Sequence, residues 1–225
     1  MTISAAMGGY NSAMAKKPAL RQAAIGFRVH SGWAALVAVS GSPSSPEIIA
    51  RRRIEIADSK QEGSKQPFHA AEPLELTHAE ELIRSCFLST QTLAREAVRA
   101  AIDGLRDRGY VVAAAGLTFG SGRTLPALPQ ILASHALIHT AEGEFFRQAV
   151  VEASEHSRLK VHGTKEKELF DCGAVSFRTS AAELCQQITA IGKSIGPPWT
   201  MDQKYAALAA WIALAEVSRG AGSRG

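Results

Sequence analysis

Three titratable side chains, His135, His139 and Glu142, sit four and three residues apart in His135-Ala136-Leu137-Ile138-His139-Thr140-Ala141-Glu142. On a helix, at about 100° per residue, that spacing puts all three on one face. A histidine pair one turn apart, with an acid three positions on, can hold a divalent cation or use the acid to orient one imidazole as a base. The same pattern also suits a buried hydrogen-bond network, because polar groups are costly to bury unless they satisfy one another. The stretch lacks the H-E-x-x-H zinc spacing, and no third histidine or cysteine lies at local ligand distance. Neither a metal nor another cofactor is therefore expected.

Two further groups could meet an anion. Gly120-Ser121-Gly122-Arg123-Thr124 offers backbone N–H groups, the Ser121 hydroxyl and the Arg123 guanidinium, although the Lys-Ser/Thr ending of a phosphate-binding Walker loop is missing. Arg28 and His30, beside a Ser31-Gly32 turn, could hold phosphate or form an ordinary exposed hairpin pair. His135, His139 and Glu142 are thus the catalytic candidates, and Arg28, His30, Ser121 and Arg123 the ligand-binding ones. Trp33 and Trp211 read as core, and Lys165-Glu166-Lys167-Glu168 as a solvated charge run.

These residues must be positioned by elements that the rest of the chain predicts. Ala23 to Val29 and Trp33 to Val39 are apolar runs split by the turn, and Glu47 to Ile56 is rich in β-branched residues, so the chain opens as a three-stranded meander. Asp58 to Leu76 reads as a surface connection. Thr77 and Glu80 have capping-box spacing before a long amphipathic helix that ends at Gly109. Tyr110 to Leu117 is continuously apolar, which suits a strand buried on both faces. Thr118 to Pro129 is a loop, Gln130 to His156 a second long helix, and Leu159 to Gly163 a short strand. Its helical wheel aims His135, His139 and Glu142 at the sheet, as one cluster beneath the Gly120 to Thr124 loop. Ser180 with Glu183, and Thr200 with Gln203, repeat the capping-box spacing before two more helices.

The 225 residues are 46% hydrophobic and 20% charged, a balance that excludes wholesale disorder. A net charge of +4 permits contact with nucleic acid without demanding it. Cys86, Cys172 and Cys185 are widely spaced and form no C-x-x-C pair, which fits a cytoplasmic, reducing setting. No apolar run approaches the roughly 18 residues that cross a bilayer, so no membrane partner is expected. The lysines of the opening segment come last, the reverse of a secretory signal, and Met14 would serve as an alternative start. Residues 1–20 and 218–225 read as flexible tails around one domain spanning 21–217.

Three antiparallel strands, a helix, a buried strand, a helix, another strand and terminal helices resemble the ribonuclease H-like fold, an α/β class with a mixed sheet of about five strands flanked by helices. Within it, Ile25-Gly26-Phe27-Arg28-Val29-His30-Ser31-Gly32 looks like the opening strand and turn of RuvC-like Holliday-junction resolvases. Tyr205-Ala206-Ala207-Leu208-Ala209-Ala210-Trp211-Ile212 looks like their last helix. The resemblance implies carboxylates on the first strand, after the fourth strand and on the last helix, holding two magnesium ions. Here those places fall on Arg28, near Gly116 or Leu117, and near Gln203 and Ala206. Asp202 is displaced by one residue, a rotation of about 100° that would turn it away and leave it to favour the helix dipole. The expectation is a ribonuclease H-like domain without the two-metal nuclease site, acting as a binding or interaction module for nucleic acid or a protein. The alternative is a hydrolase or transferase built on His135, His139 and Glu142.

Overall fold

The computed structural model describes residues 20–222 except Ser121 and Arg123. Of the tails expected at 1–20 and 218–225, residues 1–19 and 223–225 lie outside the described residues. Strands β1 (Arg21–His30), β2 (Trp33–Ser42) and β3 (Ser45–Glu55) form the expected antiparallel meander. The two-residue turn between β1 and β2 requires Gly32 at φ +81°, which a side chain would resist. Strand β4 (Tyr110–Phe119) pairs parallel to β1, and β5 (Lys160–Lys165) parallel to β4, giving the order β3-β2-β1-β4-β5. This mixed five-stranded sheet flanked by helices is the α/β architecture expected from the sequence.

Strand alternation sets the layers. Ala23, Ile25 and Phe27 of β1 and Ala34, Leu36 and Ala38 of β2 share one core with α2 (Leu76–Arg106) and α4 (His135–His156). Ala24, Ala35, Val37, Val39 and Ala114 share the opposite core with α6 (Ala181–Ile195) and α7 (Met201–Gly222). Of the run expected to be buried on both faces, Tyr110 and Ala114 to Leu117 are buried, whereas Val111 is exposed and Val112 and Ala113 are half-buried, so the double cover holds for the second half of β4 only.

Helix α7 approaches the sheet with almost nothing between the two backbones. Ala206, Ala207, Ala209, Ala210 and Ala213 are all buried, and opposite them stand Gly26 and Gly116, which are register partners in β1 and β4. A Cβ at Gly26 would overlap the Ala206 carbonyl and lie 2.7 Å from the Ala210 nitrogen. At Gly116 it would overlap the Ala209 carbonyl and lie 3.0 Å from the same nitrogen.

Several elements depart from expectation. The Thr77–Glu80 capping box does not form, because α2 already starts at Leu76 behind an extended Glu75, leaving Thr77 inside the first turn. The boxes at Ser180 and Thr200 do form: the Glu183 N–H donates to Ser180 Oγ at 3.1 Å, and the Gln203 N–H to Thr200 Oγ1 at 3.4 Å. The Asp58 to Leu76 connection contains a short helix α1 (Pro67–Ala71) that buries Pro67, Phe68 and Ala71. The helix expected over Gln130 to His156 is two helices, α3 (Leu128–Leu132) and α4, broken at Ala133-Ser134. Helix α5 (Leu169–Phe177) was not anticipated. Helix α7 continues past Val217 to Gly222, held by an Arg219–Glu216 ion pair at 2.9 Å and a Ser218 hydroxyl donating to the Leu214 carbonyl at 3.0 Å.

Gly26→Ala or Gly116→Ala should lower the unfolding free energy by about 1–3 kcal/mol or more, since backbone atoms must move to admit the methyl. Gly104→Ala, in the last turn of α2 with nothing within 4 Å of the new Cβ, should be neutral or stabilising by up to about 1 kcal/mol. Urea denaturation of the three variants checks both outcomes.

Candidate functional site

Two polar clusters stand out, and the first is built on α4. Glu142 is buried, with 3% of its surface exposed, among Ile138, Phe145 and Phe146. Its carboxylate faces the start of α1. Glu142 Oε1 accepts the backbone N–H of Phe68 at 2.9 Å and of His69 at 3.1 Å, and pairs with His69 Nδ1 at 3.2 Å. An oxygen already accepting two N–H groups leaves Nδ1 to donate as well, which leaves the His69 Nε2 lone pair free. Burial pushes the Glu142 carboxyl above the usual carboxylate range, against the lowering effect of the His69 and Phe68 hydrogen bonds. Its Oε2 is buried with no hydrogen-bond partner among the described residues.

His135 and His139 lie beside this group and are exposed, so the single buried cluster expected from the helical wheel is corrected. Their Nε2 atoms are 3.0 Å apart. The His69 ring stands edge-on to both, at centroid distances of 5.5 Å to His135 and 4.8 Å to His139. The wheel aimed all three α4 residues the same way, but α4 begins at His135, and its first turn faces half-exposed His69 on α1. Nor is the group seen beneath the glycine loop: a Cβ on Gly120 would lie 2.8 Å from an Arg147 guanidinium nitrogen and 3.1 Å from Glu144 Oε1, on another side of α4. Ser121 and Arg123 lie outside the described residues.

The second cluster gathers at the end of β1. Arg28 donates from Nη2 to Glu166 Oε1 at 2.7 Å, from Nε to Glu166 Oε2 at 3.3 Å, and from Nη1 to Asp202 Oδ1 at 2.7 Å. His30 Nε2 donates to the same Asp202 oxygen at 2.8 Å. The Arg28 guanidinium also lies 4.8 Å from the centre of the Tyr205 ring. Burial works to lower the Arg28 pKa, but the hydrogen bond and charge of Glu166 and the charge of Asp202 outweigh it and leave it raised. Behind His30, Trp33 stacks at 4.3 Å, and Arg53 covers the Trp33 ring at 3.8 Å.

Asp202 therefore points at Arg28 and His30, which corrects the rotation argument that turned it away. It occupies the first turn of α7, which arrives beside the end of β1 and brings the carboxylate onto both side chains. Glu166, assigned to a solvated run, grips Arg28 from a single 3₁₀ turn, Glu166–Glu168, that follows β5 directly. Sequence reasoning missed His69, Glu166 and Tyr205. Only His69 left a local trace: a proline at the first helical position, followed by Phe68, marks a helix start inside a polar connection.

No protein-family model matches the chain, and no curated protein matches it significantly. Among solved structures, Thermus thermophilus RuvC is similar, both in the structure described as RuvC in complex with Holliday junction substrate and in that of RuvC itself. Each is 12% identical, with 88% of this chain and 96% of that chain covered and a TM-score of 0.49.

Glu142→Ala removes the acceptor from three N–H donors at the start of α1 and should cost about 1–3 kcal/mol of stability. His135→Ala and His139→Ala, both exposed, should stay within about 0.5 kcal/mol of the parent. Arg28→Ala leaves Glu166 and Asp202 without their cation; since all three are partly solvated, the loss should be about 1 kcal/mol. Thermal melts of the four variants read the ranking.

Proposed function

We propose that this chain is a ribonuclease H-like binding module for nucleic acid that does not perform two-metal cleavage. The single observation that carries the reading is Arg28. The resemblance implies a metal-binding carboxylate at that strand position, and the chain instead places a guanidinium within 2.7 Å of both Asp202 and Glu166. The arginine offsets one of the two carboxylate charges, occupies both Glu166 oxygens and Asp202 Oδ1 with its N–H groups, and repels a dication itself, so this set does not fit a pair of magnesium ions.

The net charge of +4 supports a polyanionic partner. Arg28, its charge already met by two carboxylates, serves as a structural tie in this reading and leaves phosphate contact to other cations of the surface. His30, 34% exposed at its side chain and backed by Trp33, is the member of this cluster best placed to meet a partner. The alternative of a hydrolase or transferase built on His135, His139 and Glu142 is less well supported, because the Glu142 carboxylate is sealed and already accepts three N–H groups, which leaves it no proton to exchange with a substrate.

The test uses a labelled four-way DNA junction, a linear duplex and an RNA–DNA hybrid. Binding should be measurable by fluorescence anisotropy at low salt and should weaken steeply as salt rises. No substrate should be cut in magnesium or manganese. Cleavage abolished by a chelator would overturn the non-cleaving assignment, and absence of binding to all three at low salt would overturn the nucleic-acid assignment.

A further inference from the structure

The geometry points to a divalent transition-metal site formed by His69, His135 and His139, with Glu142 orienting His69 from behind and a fourth position left for water or an anion. One ring nitrogen from each histidine lies within 4.8 Å of the others, and the Nε2 atoms of His135 and His139 are 3.0 Å apart. Zinc held by imidazole nitrogens at about 2.0–2.1 Å in a tetrahedron needs those nitrogens roughly 3.3 Å from one another. Small side-chain rotations therefore close the set around an ion. His135 and His139, one turn apart on α4, supply the two-histidine face that zinc helices use; His69 arrives from α1, 73 residues before Glu142 in the chain.

Two features separate this group from a chance meeting of histidines. The Glu142 carboxylate fixes His69 with Nδ1 as the donor, so that Nε2 presents its lone pair, which is the carboxylate–histidine arrangement that supports metal-binding imidazoles. The other Glu142 oxygen is buried with no hydrogen-bond partner among the described residues. A buried carboxylate in that condition lacks a compensating positive charge, and a dication bound to the His69 ring supplies one. A hydrogen-bond network alone would account for Glu142 and His69, but it gives no reason for two exposed histidines to converge on them. Three imidazoles favour zinc, copper, nickel or cobalt over magnesium and calcium, which take oxygen ligands. The site shares no residue with the Arg28 cluster, and its occupancy is independent of the binding-module reading.

Untagged full-length protein, stripped with chelator, would be titrated with zinc by calorimetry and with cobalt by visible absorption. One ion per chain should bind with a dissociation constant in the micromolar range or below, and cobalt should show the intense bands of a four- or five-coordinate ion. Equimolar magnesium should not compete. His69→Ala, His135→Ala and His139→Ala should each weaken binding at least tenfold, Glu142→Gln should weaken it about 10–100-fold, and replacing His78, an exposed histidine in the first turn of α2 that is not part of the group, by alanine (His78→Ala) should leave it unchanged. Because Glu142 is buried, its variant is accompanied by a melt. The exposed His135 and His139 carry the decision without risk to folding. Failure to bind one equivalent of zinc, or binding that survives the combined replacement of His135 and His139, overturns the site.

Discussion

The contact on which the rest of the molecule depends is the backbone-to-backbone seating of α7 on Gly26 and Gly116. Neighbouring glycines in β1 and β4 form a flat spot at the centre of the sheet, and the buried alanines of α7 lower the helix onto it. A helix with larger side chains would stand farther off, as helices normally do when their side chains fill the gap. The close seating fixes where the first turn of α7 arrives, beside the end of β1. Asp202 reaches Arg28 and His30 because the helix cannot sit higher.

Arg28 then ties three parts of the chain together at this end of the sheet: β1 through its own backbone, the turn after β5 through Glu166, and α7 through Asp202. The arginine sets one positive charge against two carboxylates and meets their oxygens with N–H donors. A carboxylate at the same place would have left three negative charges and an open demand for cations. One side chain thus decides whether this end of the sheet can gather metal ions.

The cluster on α1 and α4 follows a different logic. Glu142 is held in low dielectric by apolar neighbours and compensated by N–H donors on one oxygen only. It organises the start of α1 and fixes a single tautomer of His69, while His135 and His139 stay open to solvent. A buried orienting acid, a fixed imidazole and two exposed imidazoles form a graded path from core to surface, a geometry suited to holding an ion at the boundary.

The strand alternation of β1 and β2, the doubly buried second half of β4 and the capping boxes at Ser180 and Thr200 were legible in the sequence, because each is local: side-chain period and cap chemistry act within a few residues. The shared face of His135, His139 and Glu142 was legible for the same reason. Its burial was not, since exposure along a helix face depends on what lies opposite, and the opposing element was a five-residue helix concealed in a polar connection. His69, Glu166 and Tyr205 joined their clusters only through tertiary contact, across separations such as the 138 residues between Arg28 and Glu166. By itself the sequence determined which residues could bear chemistry and which elements would carry them. The tertiary structure decided which of them meet, because charge pairing and ligand convergence require side chains to come within about 3–5 Å, a distance set by the packing of α1 on α4 and of α7 on the two glycines.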